Sequence, residues 1–331
     1  MRVHYYFRMK VLITGGAGYI GSHLVEALVL EGASCFVVDD LSRGLSPRLS
    51  DQIDFAQFDL SDYSVTSKFF SGHSFDFVFH LAGLMQARES SLFPGMYHEK
   101  NVKSTINLCK ALRGNTNTKL VFSSSCSVYG NNSYATESSS FAPLSEYAKN
   151  KIECENILHQ HFSNRPENLT IFRFFNVIGS SLNKYFCDIQ KETLLPSSAR
   201  LILQGKSPKI FGTDFQTRDG SALRNFIDVQ DVVSALLLPI KSSLSGIHNL
   251  TSGRTNSVLE VLEKLIIVSS ANHLRVEVLD RRPEDPTFIN ARPSKQLSLL
   301  GWKTKIAIDE SILNFWKVFQ DYYFNMENVK G

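Results

Sequence analysis

The sequence contains 331 residues, of which 43% are hydrophobic and 20% are charged, and its formal net charge is +3. This composition is typical of a globular protein, and the length favours a large core with a second lobe over one small domain. Because the charges form no long run of one sign and no apolar stretch approaches the roughly 18 to 20 residues that span a bilayer, we expect neither a nucleic-acid partner nor a membrane partner.

The first residues precede a methionine, Met9, that opens the run MKVLITGG, so we interpret residues 1–8 as an N-terminal extension. This segment has no apolar core or small-residue cleavage site and makes a poor signal peptide. The five cysteines are scattered without C-x-x-C spacing, which favours reduced thiols over disulfides or zinc. We therefore expect a cytoplasmic protein without a resident metal.

Short apolar runs recur before helical stretches in the first half of the chain. They are VLIT (11–14), CFVVD (35–39), IDFAQF (53–58), FDFVFH (75–80), KLVFSS (119–124) and LTIFRFF (169–175). The runs are continuously apolar, which is typical of strands covered on both faces of a parallel sheet. Between the first two, SHLVEALVLEG has apolar residues at helical spacing and Gly32 in place as the C-terminal stop. The sequence therefore predicts an α/β fold with a Rossmann-like doubly wound parallel sheet.

The rhythm of the sequence changes after about residue 180, where prolines become frequent and the alternation of strands and helices is lost. We expect a nucleotide-binding domain over residues 9–180 and a smaller C-terminal α/β lobe that binds the substrate over 181–331. Part of 224–240 could return to the first domain. The stretch SYATESSSFAP (133–143) is interpreted as a surface loop.

A glycine-rich turn follows the first predicted strand, where TGGAGYIG places Gly15, Gly18 and Gly21 at three-residue spacing before a helix. Glycines permit close approach of a pyrophosphate to the backbone, and the helix N-terminus supplies N–H donors. Asp39, at the end of the second strand, can bond both adenosine ribose hydroxyls and would repel a 2′-phosphate, which favours NAD over NADP. Arg43 is the counter-signal, because it could accept that phosphate or could be a solvated loop cation.

Asp59 follows the third predicted strand in the segment FDLSD. Its carboxylate could accept a hydrogen bond from the adenine amino group of the same cofactor. The alternative is that Asp59 caps the N-terminus of the next helix.

A serine-rich segment, SSSCSVYG, follows the fifth predicted strand, and Tyr147 and Lys151 follow at a spacing that places both on one helical face. Ligands of such folds bind at the carboxyl ends of the strands, where these groups can converge. An ammonium about 4 Å from the phenol, at an effective dielectric of about 20, contributes about 4 kcal/mol and lowers the phenol pKa by up to about 3 units. Tyr147 is therefore a candidate general base. The alternative is an ordinary helix with an exposed tyrosine and lysine.

The motifs resemble those of the extended short-chain dehydrogenase/reductases and, within them, the UDP-glucose 4-epimerase family, over nearly the whole chain from Lys10 to Trp316. In the first half they are TGGAGYIGSHL, DDLSRG, FHLAGL, NVKSTINL, FSSSCSVYG, EYAKNK and FRFFNVIG. In the second half they are IFGTDFQTRDGSALRNFIDVQDV, IHNLTSG, RRPED and LLGW. The nucleotide-binding motifs are specific to the superfamily, while the long IFGTDFQTRDG insertion points more narrowly at hexose 4-epimerases.

The resemblance implies a mechanism. Ser125 hydrogen-bonds the 4-hydroxyl of the sugar, Tyr147 removes its proton, and Lys151 holds the nicotinamide ribose and lowers the pKa of Tyr147. NAD takes the hydride from C4, and the 4-keto sugar turns about its diphosphate and receives the hydride on its other face. The centre is inverted without net oxidation.

The resemblance also implies the binding residues and a homodimer formed through helices near 95–112 and 146–162. The expected NAD contacts are Gly15, Gly18, Tyr19, Ile20, Gly21, Asp39, Asp40, Ser42, Asp59, Leu60, Leu81, Ala82, Gly83, Asn101, Ser123, Tyr147, Lys151 and Phe174. The expected UDP-sugar contacts are Ser125, Tyr147, Asn176, Thr193, Leu194, Phe211, Arg224, Arg282, Asp285 and Ile289. By the same resemblance, Ile289 borders the C2 substituent of the sugar.

The chain departs from the family pattern at several polar positions. Met85 stands where a lysine is common, Thr193 replaces a common asparagine, and Phe174 and Phe226 replace common tyrosines. These departures leave the physiological sugar open between UDP-hexoses and their N-acetylated forms.

Other members of the superfamily are the alternatives. A 4,6-dehydratase would need an Asp-Glu pair where this chain has Cys126 and Ser127. A uronate 4-epimerase or a 4-reductase remains an alternative, and so does a non-catalytic NAD-sensing protein, since fold alone does not define function.

Overall fold

The computed structural model describes residues 9–44, 53–181, 193–282 and 285–328. The proposed extension over residues 1–8 and the cysteine at position 187 lie outside the described residues. The chain divides into two compact units that it visits alternately. The first contains the residues up to Gly130, Ser139–Phe174 and Val233–Asn249, and the second contains Asn131–Ser138, Phe175–Val232 and the residues from Leu250 onward.

The first unit is built on a seven-stranded sheet. Its strands are β1 (Lys10–Thr14), β2 (Ser34–Asp39), β3 (Asp54–Gln57), β4 (Phe77–His80), β5 (Lys119–Ser125), β7 (Leu169–Phe174) and β11 (Gly246–Leu250). Their order across the sheet is β3-β2-β1-β4-β5-β7-β11. The pairs from β3 to β7 are all parallel. All six predicted runs are therefore strands of one doubly wound sheet, which confirms the predicted fold class.

Helices cover this sheet and connect its strands. They are α1 (Tyr19–Leu30), α2 (Tyr63–Ser71), α3 (Ala87–Leu92), α4 (Pro94–Tyr97), α5 (Ser104–Ala111), α6 (Glu146–His161) and α9 (Leu238–Lys241). A π-helical turn over His98–Lys103 joins α4 to α5, and a short 3₁₀ turn over Cys126–Tyr129 follows β5. Helix α8 (Val229–Leu236) begins in the second unit and ends in the first.

The apolar strand residues form the core of the first unit. Leu12, Val78 and Ile171 are fully buried, and Leu108 and Leu158 pack against them from α5 and α6. Burial of nearly every residue along β1, β4 and β7 explains why these runs do not alternate between apolar and polar residues.

The second unit has two small sheets. Its strands are β6 (Asn132–Ala135), β8 (Asn176–Ile178), β9 (Lys209–Phe211), β10 (Leu223–Asp228), β12 (Thr255–Ser257), β13 (Glu277–Leu279) and β14 (Phe288–Ala291). Its remaining helices are α7 (Leu194–Leu203), α10 (Val258–Val268), α11 (Lys295–Leu299) and α12 (Ile308–Asn328). In the larger sheet, β10 pairs in parallel with β8 and β14 and antiparallel with β12. Strands β9 and β13 form a separate parallel pair.

The first stretch of the first unit ends at Phe174, where a boundary near residue 180 was expected. The unit also includes Val233–Asn249, which overlaps the 224–240 stretch that could return to it. The interpretation of 133–143 as a loop is wrong at its start, because β6 pairs with β14. The residues of β6 are polar and mostly exposed, so they lack the apolar pattern that marks a strand.

No helix in the described part of the chain is long and apolar enough to cross a bilayer. The described residues also contain no group of three or more histidine, cysteine or acidic side chains that could hold a metal ion.

Candidate cofactor and catalytic site

The glycine-rich turn is packed too tightly for side chains. Gly15 has φ +74°, and a Cβ on it would lie 2.6 Å from the backbone nitrogen of Ala82. A Cβ on Gly21 would lie 2.2 Å from the carbonyl oxygen of Gly15. Gly18 is the N-cap of α1 and makes no side-chain cap, so the first turn beginning at Tyr19 presents backbone N–H groups to a ligand. This arrangement fits a diphosphate at the helix N-terminus.

Asp39 is buried at the end of β2, where its carboxylate fixes the turns on both sides. Its oxygens accept hydrogen bonds from the backbone N–H groups of Ala17, at 3.0 Å, and Leu41, at 2.9 Å. Arg43, the counter-signal for NADP, forms an ion pair with Glu89 of α3. Because 46% of the Arg43 side chain is exposed, this pair is worth no more than about 1 kcal/mol, so the preference for NAD depends on Asp39 and not on Arg43.

Lys100 of the π-helical turn bridges two carboxylates that follow neighbouring strands. Its Nζ lies 2.6 Å from Oδ2 of Asp40 and 2.7 Å from Oδ2 of Asp59. Burial alone would raise the pKa of each carboxyl, but the hydrogen bonds and charge of Lys100 together with hydrogen bonds from Ser42 or Ser61 lower both pKa values. The helix-cap alternative for Asp59 is wrong, because Asp62 caps α2.

The other expected cofactor positions lie along the same edge of the sheet. Asn101 accepts a hydrogen bond from the N–H of Leu84 at 2.8 Å and donates one to its carbonyl oxygen at 3.1 Å. Gly83 has φ +149°, and a Cβ there would lie 2.7 Å from Oδ1 of Asn101. Five further positions lie at strand or helix ends on this edge: Ile20 in the first turn of α1, Ser42 bonded to Asp40, Leu60 after Asp59, and Leu81 and Ala82 directly after β4.

Ser125, Tyr147 and Lys151 converge at the carboxyl end of β5. The Ser125 hydroxyl and the Tyr147 phenol come from β5 and α6, and Ser125 acts to lower the pKa of Tyr147. Lys151 is buried one helical turn further along, and its Nζ donates to the carbonyl oxygen of Ser123 at 2.7 Å. Phe174, another expected cofactor contact, lies beside Ser125 in the register of β7.

The electrostatics of this set differ from the prediction. Burial raises the pKa of Tyr147 above that of an ordinary phenol, and the hydrogen bond from Ser125 offsets this only in part. The Nζ of Lys151 lies 5.8 Å from the centre of the Tyr147 ring and 4.7 Å from that of Phe122. Burial also lowers the pKa of Lys151. The expected lowering of the Tyr147 pKa by Lys151 is therefore wrong, because desolvation is the largest effect on that pKa.

A buried ion pair lies one helical turn beyond Lys151. The guanidinium of Arg173, from β7, donates to Glu155 of α6 at 2.9 and 2.6 Å, and both side chains are 1% exposed. Ser124, the neighbour of Ser125 on β5, also donates to Glu155, and Arg173 donates to the Tyr129 hydroxyl at 2.8 Å. Burial would lower the pKa of Arg173, but Glu155 outweighs it and raises that pKa. This network fixes α6 to β5 and β7.

The expected substrate positions other than Ser125 and Tyr147 belong to the second unit, where they lie on the larger sheet, at the start of α7 and around the end of β9. On the larger sheet, Asn176 donates to the carbonyl oxygen of Asn225 at 3.1 Å. In the same sheet, Arg224 and Ile289 are register partners on β10 and β14. Thr193 and Leu194 lie at the start of α7, with Thr193 as its N-cap.

A second group of these positions surrounds the end of β9. The guanidinium of Arg282 lies over the ring of Phe211, 3.4 Å from its centre, and the backbone N–H of Asp285 donates to the carbonyl oxygen of Arg282 at 3.2 Å. The buried Nε of Arg282 has no hydrogen-bond partner among the described residues. An orphaned cationic donor beside an aromatic ring is suited to an anionic ligand.

Sequence reasoning missed three participants: Lys100, Glu155 and Arg173. Lys100 directly precedes Asn101, which was selected, but its two partners follow strands far away in the chain. Glu155 follows Lys151 at helical spacing, a signal that could have placed it on the same face of α6.

Taken together, the doubly wound fold of the first unit, its glycine turn, its acidic edge and its Ser-Tyr-Lys set are suited to binding a dinucleotide. The chain belongs to the NAD dependent epimerase/dehydratase family, whose model matches residues 11–250. NAD, the cofactor expected from the sequence, is thus the cofactor of the family.

Individual relatives agree with this family. UDP-glucose 4-epimerase 2 of Oryza sativa subsp. japonica is 35% identical, with 92% of this chain and 80% of the relative covered. The crystal structure of UDP-glucose-4-epimerase from Stenotrophomonas maltophila, with bound NAD and formylated UDP-arabinopyranose, has a TM-score of 0.86 at 28% identity and covers 96% of this chain and 99% of its own. UDP-N-acetylglucosamine 4-epimerase from Methanobrevibacter ruminantium M1, in complex with UDP-N-acetylmuramic acid, has a TM-score of 0.84 at 30% identity, with 95% and 99% covered.

Proposed function

We propose that the protein is an NAD-dependent 4-epimerase that interconverts UDP-glucose and UDP-galactose through a 4-keto intermediate. The observation that carries this proposal is the convergence of Ser125, at the end of β5, with Tyr147 and the buried Lys151 of α6. A serine hydroxyl and a phenol brought together at the end of a strand are suited to an alcohol that is oxidised and then reduced.

The proton of the sugar O4 hydroxyl is transferred by residues of this chain. Ser125 orients the O4 hydroxyl of the sugar, and Tyr147 takes its proton as C4 loses a hydride and returns it when the hydride comes back. NAD, when bound, supplies the hydride acceptor and donor. Lys151 holds the nicotinamide ribose beside β5, and the glycine turn from Gly15 to Gly21 cradles the diphosphate.

Charged and aromatic side chains of the second unit are proposed to bind the UDP portion. Arg282 offers an orphaned buried Nε, and Phe211 presents a ring under its guanidinium. We assign the diphosphate to Arg224 and Arg282, with Asp285, Asn176, Thr193 and Leu194 around the nucleotide. Arginine is suited to this task because its planar fork matches phosphate oxygens.

Sugar specificity is proposed to depend on Ile289, which is half-buried on β14 beside Arg224 in the register. A side chain of this size leaves more room than a tyrosine, and it offers an acetyl methyl group a contact worth about 0.8 kcal/mol per buried carbon. We therefore propose that UDP-N-acetylhexosamines are accepted as well. The similar epimerase from Methanobrevibacter ruminantium M1 is named for UDP-N-acetylglucosamine, which is consistent with this proposal.

A panel of nucleotide sugars, incubated with the protein as purified and without added cofactor, tests this function. We expect UDP-glucose and UDP-galactose to interconvert to a constant ratio, and acid-denatured protein to release NAD and not NADP. Conversion of UDP-glucuronate alone would support a uronate 4-epimerase, consumption of NADH would support a 4-reductase, and bound NAD without any conversion would support an NAD-sensing protein.

The same panel applied to Ile289→Tyr separates the two sugar classes. The larger ring should lower kcat/KM for UDP-N-acetylglucosamine relative to UDP-glucose, because it closes the space beside C2. An unchanged ratio would show that Ile289 does not border the sugar.

We also propose that the protein is a homodimer, formed through the helical segments near 95–112 and 146–162. Leu92, Phe93 and Met96 are exposed at the start of the first segment, and apolar side chains grouped in this way favour association. Sedimentation velocity at micromolar concentration should give a single dimeric species, and a monomer under these conditions would refute the proposal.

A further inference from the structure

The glycine turn and Asp39 account for the expected cofactor contacts at the first two strands, but they do not explain why Lys100 bridges two further carboxylates. Its Nζ bridges Asp40, which follows β2, and Asp59, which follows β3. The second oxygen of each carboxylate is fixed elsewhere: Oδ1 of Asp40 accepts from the Ser42 N–H and hydroxyl at 2.9 and 2.6 Å, and Oδ1 of Asp59 accepts from the Ser61 N–H at 2.8 Å. Each carboxylate is therefore held at both oxygens.

The Lys100 bridge lies within a cluster of charged side chains at one edge of the sheet. Asp39, Asp40 and Asp59 place three carboxylates at the ends of β2 and β3, and Lys100 is the cation bonded to two of them. About a quarter to a third of each of these side chains is exposed, 27% for Lys100, 24% for Asp40 and 34% for Asp59. Without the ammonium the two carboxylates would repel each other and a bound diphosphate, and they would be free to change rotamer.

The backbone that carries Lys100 also touches the cofactor edge elsewhere. Lys100 and Asn101 are adjacent in the π-helical turn His98–Lys103, and Asn101 holds Leu84 after β4 through two hydrogen bonds. A π turn inserts one residue into a helix and is often found at functional sites. Two consecutive side chains of this turn therefore bind residues that follow three strands. Lys100 bonds residues after β2 and β3, and Asn101 bonds a residue after β4.

We propose that Lys100 is a positioning residue for the adenosine half of NAD, which it serves by locking Asp40 and Asp59 in the orientations that meet the adenine and its ribose. The inference rests on the proposed function, because it requires NAD at this edge. It assigns Lys100 no contact with the reacting atoms. Its loss should therefore weaken cofactor binding and leave the chemical step intact.

The test compares Lys100→Met with Lys103→Met as a matched control. Lys103 lies on the same turn and pairs with Glu99 at 3.0 Å, with more than half of each side chain exposed. We expect the Kd for NAD to rise about tenfold in Lys100→Met and to stay unchanged in Lys103→Met. ADP-ribose, which lacks nicotinamide, should lose the same factor, and kcat at saturating NAD should remain that of the wild type. Lys100→Arg should restore part of the affinity.

Two further measurements distinguish positioning from a general loss of stability. The difference in Kd between the wild type and Lys100→Met should shrink at high salt, because a partly exposed ion pair is screened. Equal Kd values in the wild type and Lys100→Met overturn the inference, even if the melting temperature of the NAD-free variant falls. Failure of the wild type to bind NAD would overturn the proposed function and this inference together.

Discussion

Tyr147→Phe is expected to lower epimerase activity by about 10²- to 10⁴-fold, the range that general acid–base groups contribute. The change removes only the phenolic oxygen, the group whose pKa Ser125 acts to lower. The ring remains packed beside Lys151, so the fold and bound NAD should be preserved. Initial rates with UDP-galactose, together with the amount of NAD released on denaturation, measure both parts of the prediction.

Tyr63→Phe provides the control for this substitution, because Tyr63 is an exposed tyrosine on α2. It should have wild-type activity. If Tyr147→Phe also turned over at the wild-type rate, the phenol would not be the proton acceptor, and the proposed roles of Ser125 and Tyr147 would have to be abandoned.

Glu155→Gln is expected to destabilise the protein by about 3–5 kcal/mol, the cost of leaving one member of a buried ion pair without its partner. Arg173 would remain 1% exposed without a carboxylate. The double variant Glu155→Gln/Arg173→Met should be more stable than the sum of the single changes predicts, because it removes both charges. Urea-induced unfolding of the single and double variants measures this coupling.

The surface pair of Glu99 and Lys103 is the matched control for the buried one. Both side chains are more than half exposed, so Glu99→Gln should change stability by no more than about 1 kcal/mol. If the urea midpoint of Glu155→Gln differed from that of the wild type by as little as the midpoint of Glu99→Gln does, the buried network would not stabilise the protein.

Much of this fold could be predicted from sequence, because its determinants are local. Strands β1, β4 and β7 are buried at nearly every position, so their runs are mainly apolar and do not alternate with polar residues. Gly15 and Gly21 could be selected because their spacing between a strand and a helix reflects a backbone approach that leaves no room for Cβ. The proximity of Ser125 and Tyr147 could be predicted because ligands of such folds bind at the carboxyl ends of the strands, where the strand end and the following helix converge.

The features that escaped prediction depend on tertiary contacts. Strand β6 is polar and is defined only by its pairing with β14. The bridge from Lys100 joins residues distant in sequence, so nothing local marks it. For Tyr147, the helical spacing correctly placed Lys151 nearby, but the direction of the pKa change was set by burial, which a sequence pattern does not measure.

Because the chain passes back and forth between the two units, recombination between related genes can disrupt either unit. Strand β11, at one edge of the first sheet, is encoded after the Phe175–Val232 segment of the second unit, and β6 of the second unit is encoded within the first. A recombination crossover near codon 180 would therefore separate β7 from its neighbour β11 and leave a buried strand as an open edge. Neither unit corresponds to a continuous stretch of the gene, so new sugar specificities are expected to arise by point substitution at positions such as Ile289 and not by exchange of whole domains.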